Sequence, residues 1–246
     1  MKMLIEDVDF YYFKDLLNAG KRYCEAGKHK DSIPLFTRAI ERGWEGAEIY
    51  YCRGLAYSRT NKKKLAIADY DKAIEIDPSY LDAYFEKASC LRRFRKFEDA
   101  IVEFSTVIKI DKDYGEAYFW RAFCYFRLSR FKEAIADFTI ALNILRGKGY
   151  DARIFAYRGY SYIELGEWEK GIENLDKAIS VGKENNYFVI SDFKMRALAY
   201  EKLGNKEKAE EDFKTVKIIE NRKDNYELYK LYPELLLHNR FSMNHI

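Results

Sequence analysis

A small residue followed three positions later by an aromatic residue or leucine recurs along the chain at Gly20/Tyr23, Gly54/Tyr57, Ala88/Leu91, Ala122/Tyr125, Gly159/Tyr162 and Ala197/Tyr200. The steps between these pairs are 34, 34, 34, 37 and 38 residues. Self-similarity at such a period marks one supersecondary unit stacked repeatedly, because a single unit cannot bury its own apolar face. The chain is thereby confined to a stack in which each unit contacts its neighbours. The same beat narrows the function, since stacks of this kind usually hold a partner rather than transform a substrate.

The second unit serves as the template. Tyr50, Gly54 and Tyr57 fall at i, i+4 and i+7, one face of a helix, and Ala66, Tyr70, Ala73 and Ile74 form the face of another. The intervening Thr60-Asn61-Lys62 is short and polar, which makes the two helices antiparallel neighbours. Asp77-Pro78 closes the second helix, because a residue before proline is driven out of helical geometry. The small column lets the helices approach closely. Ala66, Ala100, Ala134, Gly171 and Ala209 repeat the small contact on the second helix, and Phe36, Tyr70, Phe104, Phe138, Leu175 and Phe213 supply the bulk.

These columns, with Tyr50, Tyr84, Tyr118, Phe155 and Phe193 opening the first helices, resemble the tetratricopeptide repeat across residues 13 to 221. The resemblance implies an all-α, right-handed superhelical solenoid of antiparallel helix pairs. Six units begin near residues 13, 47, 81, 115, 152 and 190, and residues 222–246 are read as a capping helix and tail. Pro78 has no counterpart in the other units, so those must end their second helices differently. The three and four extra residues fall near Arg146–Asp151 and Gly182–Tyr187, lengthening a helix or a loop.

Composition removes several function classes. Forty-three Lys and Arg against 40 Asp and Glu leave a formal charge of +3, too slight to indicate a nucleic acid or a membrane surface. No stretch of about 18 apolar residues occurs, so no membrane span is expected. Glu6, Asp7 and Asp9 interrupt the N-terminal segment where a signal peptide needs an apolar run, and a cytoplasmic location is the expectation. Cys24, Cys52, Cys90 and Cys124 lack the short spacing of a zinc or redox motif and read as reduced apolar fillers. His29 occupies the packing slot of Phe97, Phe131 and Trp168, while His238 and His245 have no recurring acidic or cysteine partner. No catalytic constellation, metal site or cofactor motif is recognisable, and the chain does not read as an enzyme.

The conspicuous charges pair off. Arg53, Lys87, Arg121, Arg158 and Arg196 directly precede the small column, and sixteen positions on stand Asp69, Glu103, Asp137, Asn174 and Asp212. Bases with acids at one fixed offset indicate interhelical pairs, with Arg158 alone facing an amide.

What remains is a second face of each first helix, which the resemblance places on the concave side, where the family commonly receives an extended peptide or a partner helix. The first unit offers Leu17, Lys21 and Glu25; the second, Tyr51, Leu55, Ser58 and Arg59; the third, Phe85, Ser89, Arg92 and Arg93. The fourth offers Phe119, Phe123, Phe126 and Arg127, and the fifth Tyr160 and Ile163. The expectation is an aromatic floor edged by Arg59, Arg93 and Arg127, with Glu48, Asp82 and Glu116 at the helix starts. Arginine beside aromatics is the composition of interaction hot spots. The clamp of lysines and asparagines with which tetratricopeptide cochaperones grip chaperone tails is absent: Leu17 and Lys21 stand at the first-unit places, Cys52 where asparagine is needed, and Asp82 and Glu86 reverse the charge at two more.

The reading is a non-catalytic scaffold or adaptor binding a protein segment with apolar and acidic side chains. Single-stranded RNA stacked on the same aromatics is the competing reading, opposed by the near-neutral charge and the acidic column. A regulatory subunit of a separate enzyme is another, and the C-terminal segment, with Tyr226, Tyr229 and Leu231 on one stripe, offers a route to self-association.

Overall fold

A computed structural model describes residues 2–184 and 190–220, which are helical apart from short connections. The helices follow in pairs: α1 (Lys2–Glu25) and α2 (His29–Glu41), α3 (Ala47–Arg59) and α4 (Lys63–Ile76), α5 (Leu81–Arg93) and α6 (Phe97–Ile110), α7 (Gly115–Arg127) and α8 (Phe131–Leu145), α9 (Asp151–Glu164) and α10 (Trp168–Glu184), α11 (Ile190–Lys202) and α12 (Lys206–Glu220). Two compact units divide between Cys124 and Tyr125. In the first, α1 packs on α2, α3 on α4 and α5 on α6, while α2 meets α3 and α4 meets α5. In the second, α9 packs on α10 and α11 on α12, while α8 meets α9 and α10 meets α11. The capping helix expected over 222–246 lies outside the described residues, as do residues 185–187 of the insertion at Gly182–Tyr187.

Close approach of paired helices rests on the small column. A Cβ built on Gly54 lies 2.8 Å from Cε1 of Tyr70, and one built on Gly20 overlaps the Phe36 ring. Phe36, Tyr70, Phe104, Phe138 and Leu175 are all fully buried. Each such side chain contributes about 1.5–3 kcal/mol by leaving water. Phe213 of α12 is half-buried.

The turn between paired helices carries a device the side-chain pattern did not announce. Gly27, Asn61, Arg95, Ser129, Gly166 and Gly204 all have positive φ, between 59° and 77°. They follow the 34, 34, 34, 37 and 38 spacing of the small column. In each turn the next residue donates its N–H back to the carbonyl of the aromatic-or-leucine column: Lys28 to Tyr23, Lys62 to Tyr57, Lys96 to Leu91, Arg130 to Tyr125, Glu167 to Tyr162 and Asn205 to Tyr200, at 2.8–3.0 Å. This six-to-one bond over a left-handed residue satisfies a carbonyl that the helix end would orphan. The recurring aromatic thus packs with its ring and stops its helix with its backbone.

The second helices end differently. Asp77, in extended geometry, accepts from the backbone N–H and hydroxyl of Ser79 at 2.9 and 2.6 Å. Asp111 adopts the same backbone without a following proline and accepts from the Asp113 N–H at 2.9 Å. A carboxylate turn therefore ends α6 where proline helps to end α4. The insertion near Arg146–Asp151 lengthens both parts, since α8 runs 15 residues against 14 for α6 and a five-residue connection, 146–150, precedes α9.

Candidate protein-interaction face

The basic column is structural. Arg53 donates through Nε and Nη2 to both oxygens of Asp69 at 2.8 and 2.7 Å, and Arg196 does the same to Asp212 at 2.9 and 2.6 Å. Lys87 meets Glu103 at 2.8 Å, and Arg158 donates to the Asn174 amide oxygen at 2.8 Å. Burial lowers the pKa of Arg158, which has no acid at that offset to oppose it. Arg121 and Asp137 belong to different compact units.

Each base also reaches back to the preceding second helix, a contact that pairwise reading of the sequence missed. Arg53 donates to Thr37 at 3.3 Å, Lys87 meets Asp71 at 2.7 Å and Arg121 donates to Ser105 at 3.0 Å. Arg158 donates to Thr139 at 3.2 Å across 19 positions, and Arg196 to Asp176 at 2.5 Å across 20. The backward offset is 16 in the regular units and grows by three and then four, the size of each insertion. One base therefore ties together three helices.

The expected aromatic floor divides into residues that stay accessible and residues that do not. Phe119 and Phe123 are 1% and 5% exposed. They are core side chains rather than solvent-facing ones, and Trp120 packs against both, with ring centroids 4.8 and 6.0 Å away. Arg92 lies 3.8 Å over the Trp120 ring and 5.7 Å from Phe123, so its guanidinium is stacked within the unit. Tyr160, 5% exposed, and Ile163, 6% exposed, are likewise buried. The Tyr160 hydroxyl donates to Asp192 and contacts Ser191 Oγ at 3.0 Å, so α11 occupies it. Phe126 is half-buried among Phe131, Tyr157 and Tyr160, at 5.8, 5.5 and 6.3 Å, and Arg127 is half-buried beside it in sequence.

In the first unit a half-buried aromatic ledge remains. Tyr51 meets Tyr80 edge-on at 5.2 Å, and one period later Phe85 meets Tyr114 at 5.0 Å. Tyr80 and Tyr114 were not singled out in the sequence, although their own 34-residue separation was a usable signal. They reach the ledge because the Asp77 and Asp111 turns return their N–H groups to the aspartate carbonyls, at 3.0 and 3.4 Å. Arg59 and Arg93 are exposed at the C-terminal ends of α3 and α5. Arg93 donates to Ser58 Oγ at 2.6 Å and to the Ser89 carbonyl at 3.3 Å. Glu86 lies on the same face of α5, one turn before Cys90 and two before Arg93. Burial raises its pKa, opposed by the charges of Arg93 and Arg59. Burial, then Asp82 and Glu86, likewise raise the Tyr51 phenol.

The described residues contain no group of three or more His, Cys, Asp or Glu able to hold a metal, and no helix long and apolar enough to cross a membrane. Cys52, Cys90 and Cys124 are buried, and burial pushes the Cys52 thiol to about 12. Cys52 is therefore an unreactive filler at neutral pH.

Known proteins give the same class. Family models described as tetratricopeptide repeat match residues 47–80, 69–102 and 195–217. No curated protein sequence matches the chain. Among solved structures, the MamA protein is 25% identical with a TM-score of 0.65, over 74% of this chain and 95% of that one. YrrB, described as a TPR protein with an unusual peptide-binding site, is 21% identical with a TM-score of 0.64, over 83% and 97%. PilF of Pseudomonas aeruginosa is 14% identical with a TM-score of 0.66, over 95% and 98%. The chain carries tetratricopeptide repeats and has an all-α helical-repeat fold. It carries the scaffold fold of that family.

Proposed function

We propose that this chain is a non-catalytic, cytoplasmic scaffold that receives an extended peptide on the aromatic ledge of its first compact unit. The observation that carries the reading is the repeated pair, Tyr51 with Tyr80 and Phe85 with Tyr114. Half-buried rings recur at one period, and their exposed faces gain from being covered. Arg59, exposed at the edge, supplies a charge for an acidic side chain of the partner. The fold neighbour described as having a peptide-binding site supports the same mode.

The test is affinity capture from the native cell with the natural chain and with a Tyr51→Ala, Phe85→Ala, Arg59→Ala variant whose helical circular dichroism is unchanged. Loss of the captured partners from the variant is the expected result. Equal recovery by both would overturn the assignment of the ledge.

A further inference from the structure

One buried polar group at the ledge is left unsatisfied. The Tyr70 hydroxyl is fully buried and has no hydrogen-bond partner among the described residues. Tyr70 rises from α4 past Gly54, its ring 6.1 Å from that of Tyr51, and the groups acting most strongly on its phenol after burial are Glu86 and Cys90 of α5. Glu86 is itself half-buried, with neither an ion pair nor a hydrogen bond to a described residue. Burying a donor unsatisfied is costly, so the Tyr70 hydroxyl indicates a missing bond.

Resting on the reading of the ledge as a peptide site, we propose that Glu86 is the specificity-determining acceptor for a basic side chain of the bound peptide. One carboxylate oxygen accepts from the Tyr70 hydroxyl and the other from the lysine or arginine. Charge complementarity favours this occupant. Asp82 lies one turn before Glu86 and adds a second negative charge, while Tyr51 and Tyr80 offer ring faces to a cation. Arg59 and Arg93 stand toward the C-terminal ends of α3 and α5, and although their charges reach Glu86 neither forms an ion pair with it, so the partner carries its base toward the start of α5 and any acid toward the end. Cys52 and Trp120 hold the equivalent positions one period before and after Glu86, which confines the preference to one place in the peptide.

The probe is a set of immobilised decapeptide mixtures, degenerate at nine positions and fixed centrally as lysine, arginine, norleucine or glutamate. The natural chain should retain at least ten times more on the lysine and arginine sets than on norleucine, which keeps the stem without the charge. Glu86→Gln should erase that ratio and leave the norleucine signal unchanged. Tyr70→Phe should reduce the ratio without lowering the melting temperature, because the hydroxyl it removes has no bond to lose in the free chain.

Equal retention on lysine and norleucine, preference for glutamate, or an undiminished ratio in Glu86→Gln would each overturn the proposal. If Tyr51→Ala with Phe85→Ala abolishes retention while lysine and norleucine are equal, the ledge binds peptide and the role of Glu86 alone falls. If no set is retained by the natural chain, or if the double variant retains as much as the natural chain, the ledge and the Glu86 role fall together.

Discussion

Arg196 grips Asp212 through two parallel hydrogen bonds of 2.9 and 2.6 Å, and its third nitrogen holds Asp176 of the preceding helix pair. The Asp212 side chain is 4% exposed, so removing one partner strands a charge in a poorly solvated place. Asp212→Ala should cost about 2–4 kcal/mol in urea unfolding. Asp212→Asn should cost less, because Asn174 already serves Arg158 in the neighbouring unit. Equal losses for the two variants would show that shape, not charge or hydrogen bonding, dominates there.

The left-handed turn residues give a cleaner test. Arg95 sits at φ 61° on the surface, where glycine stands in the first, fifth and sixth units. A non-glycine residue in this region costs about 1–2 kcal/mol. Arg95→Gly should therefore raise stability by about 1 kcal/mol, and Gly204→Ala should lower it by a similar amount. Thermal melts of the two variants should move in opposite directions. A fall for Arg95→Gly would mean that its side chain makes an unrecognised contact.

Gly54→Ala should be among the most damaging single-methyl additions. The new Cβ meets the Tyr70 ring at 2.8 Å and the Ala66 carbonyl at 3.3 Å, one of them rigid backbone. Overpacking of this kind costs about 1–3 kcal/mol. Alanine is native at Ala88 and Ala122, so the expected loss is a property of the Gly54–Tyr70 contact and not of the column. A melting temperature within a degree of the natural chain would contradict it.

Asp192 predicts a pH dependence. Burial raises its pKa to about 7, opposed by the hydrogen bond from Tyr160 and the charge of Arg196. The folded chain therefore holds a proton that the unfolded chain releases near pH 4. Stability contributed by this group is full below the unfolded value and is lost as pH rises toward 7, with a limiting slope of about 1.4 kcal/mol per pH unit. Asp192→Asn keeps an acceptor for Tyr160 and should flatten that part of the profile. An unchanged slope would assign the effect to another group.

Helix pairing was legible because packing writes itself into sequence as columns. Gly54 opposite Tyr70, and Arg53 opposite Asp69, are separated by a constant sixteen residues, so alignment of the units exposes both. The turns were half legible: polarity located Thr60-Asn61-Lys62, but the left-handed state of Asn61 is a backbone property that Arg95 and Ser129 disguise. The ledge was least legible. Phe119 and Tyr51 share a column, yet Phe119 is buried beside Trp120 while Tyr51 is half-buried beside Tyr80, and periodicity does not record what a neighbouring side chain covers.

The backward reach of the basic column sets where the chain can change length. Thr139 to Arg158 and Asp176 to Arg196 span 19 and 20 positions where Arg121 to Ser105 spans 16, yet the same bond is made. The extra residues are absorbed between acceptor and donor, and the stacking register survives them. The junction at 146–150 is thus a natural splice point: a short epitope or fluorophore-bearing loop grafted there should be carried without disturbing the helices on either side.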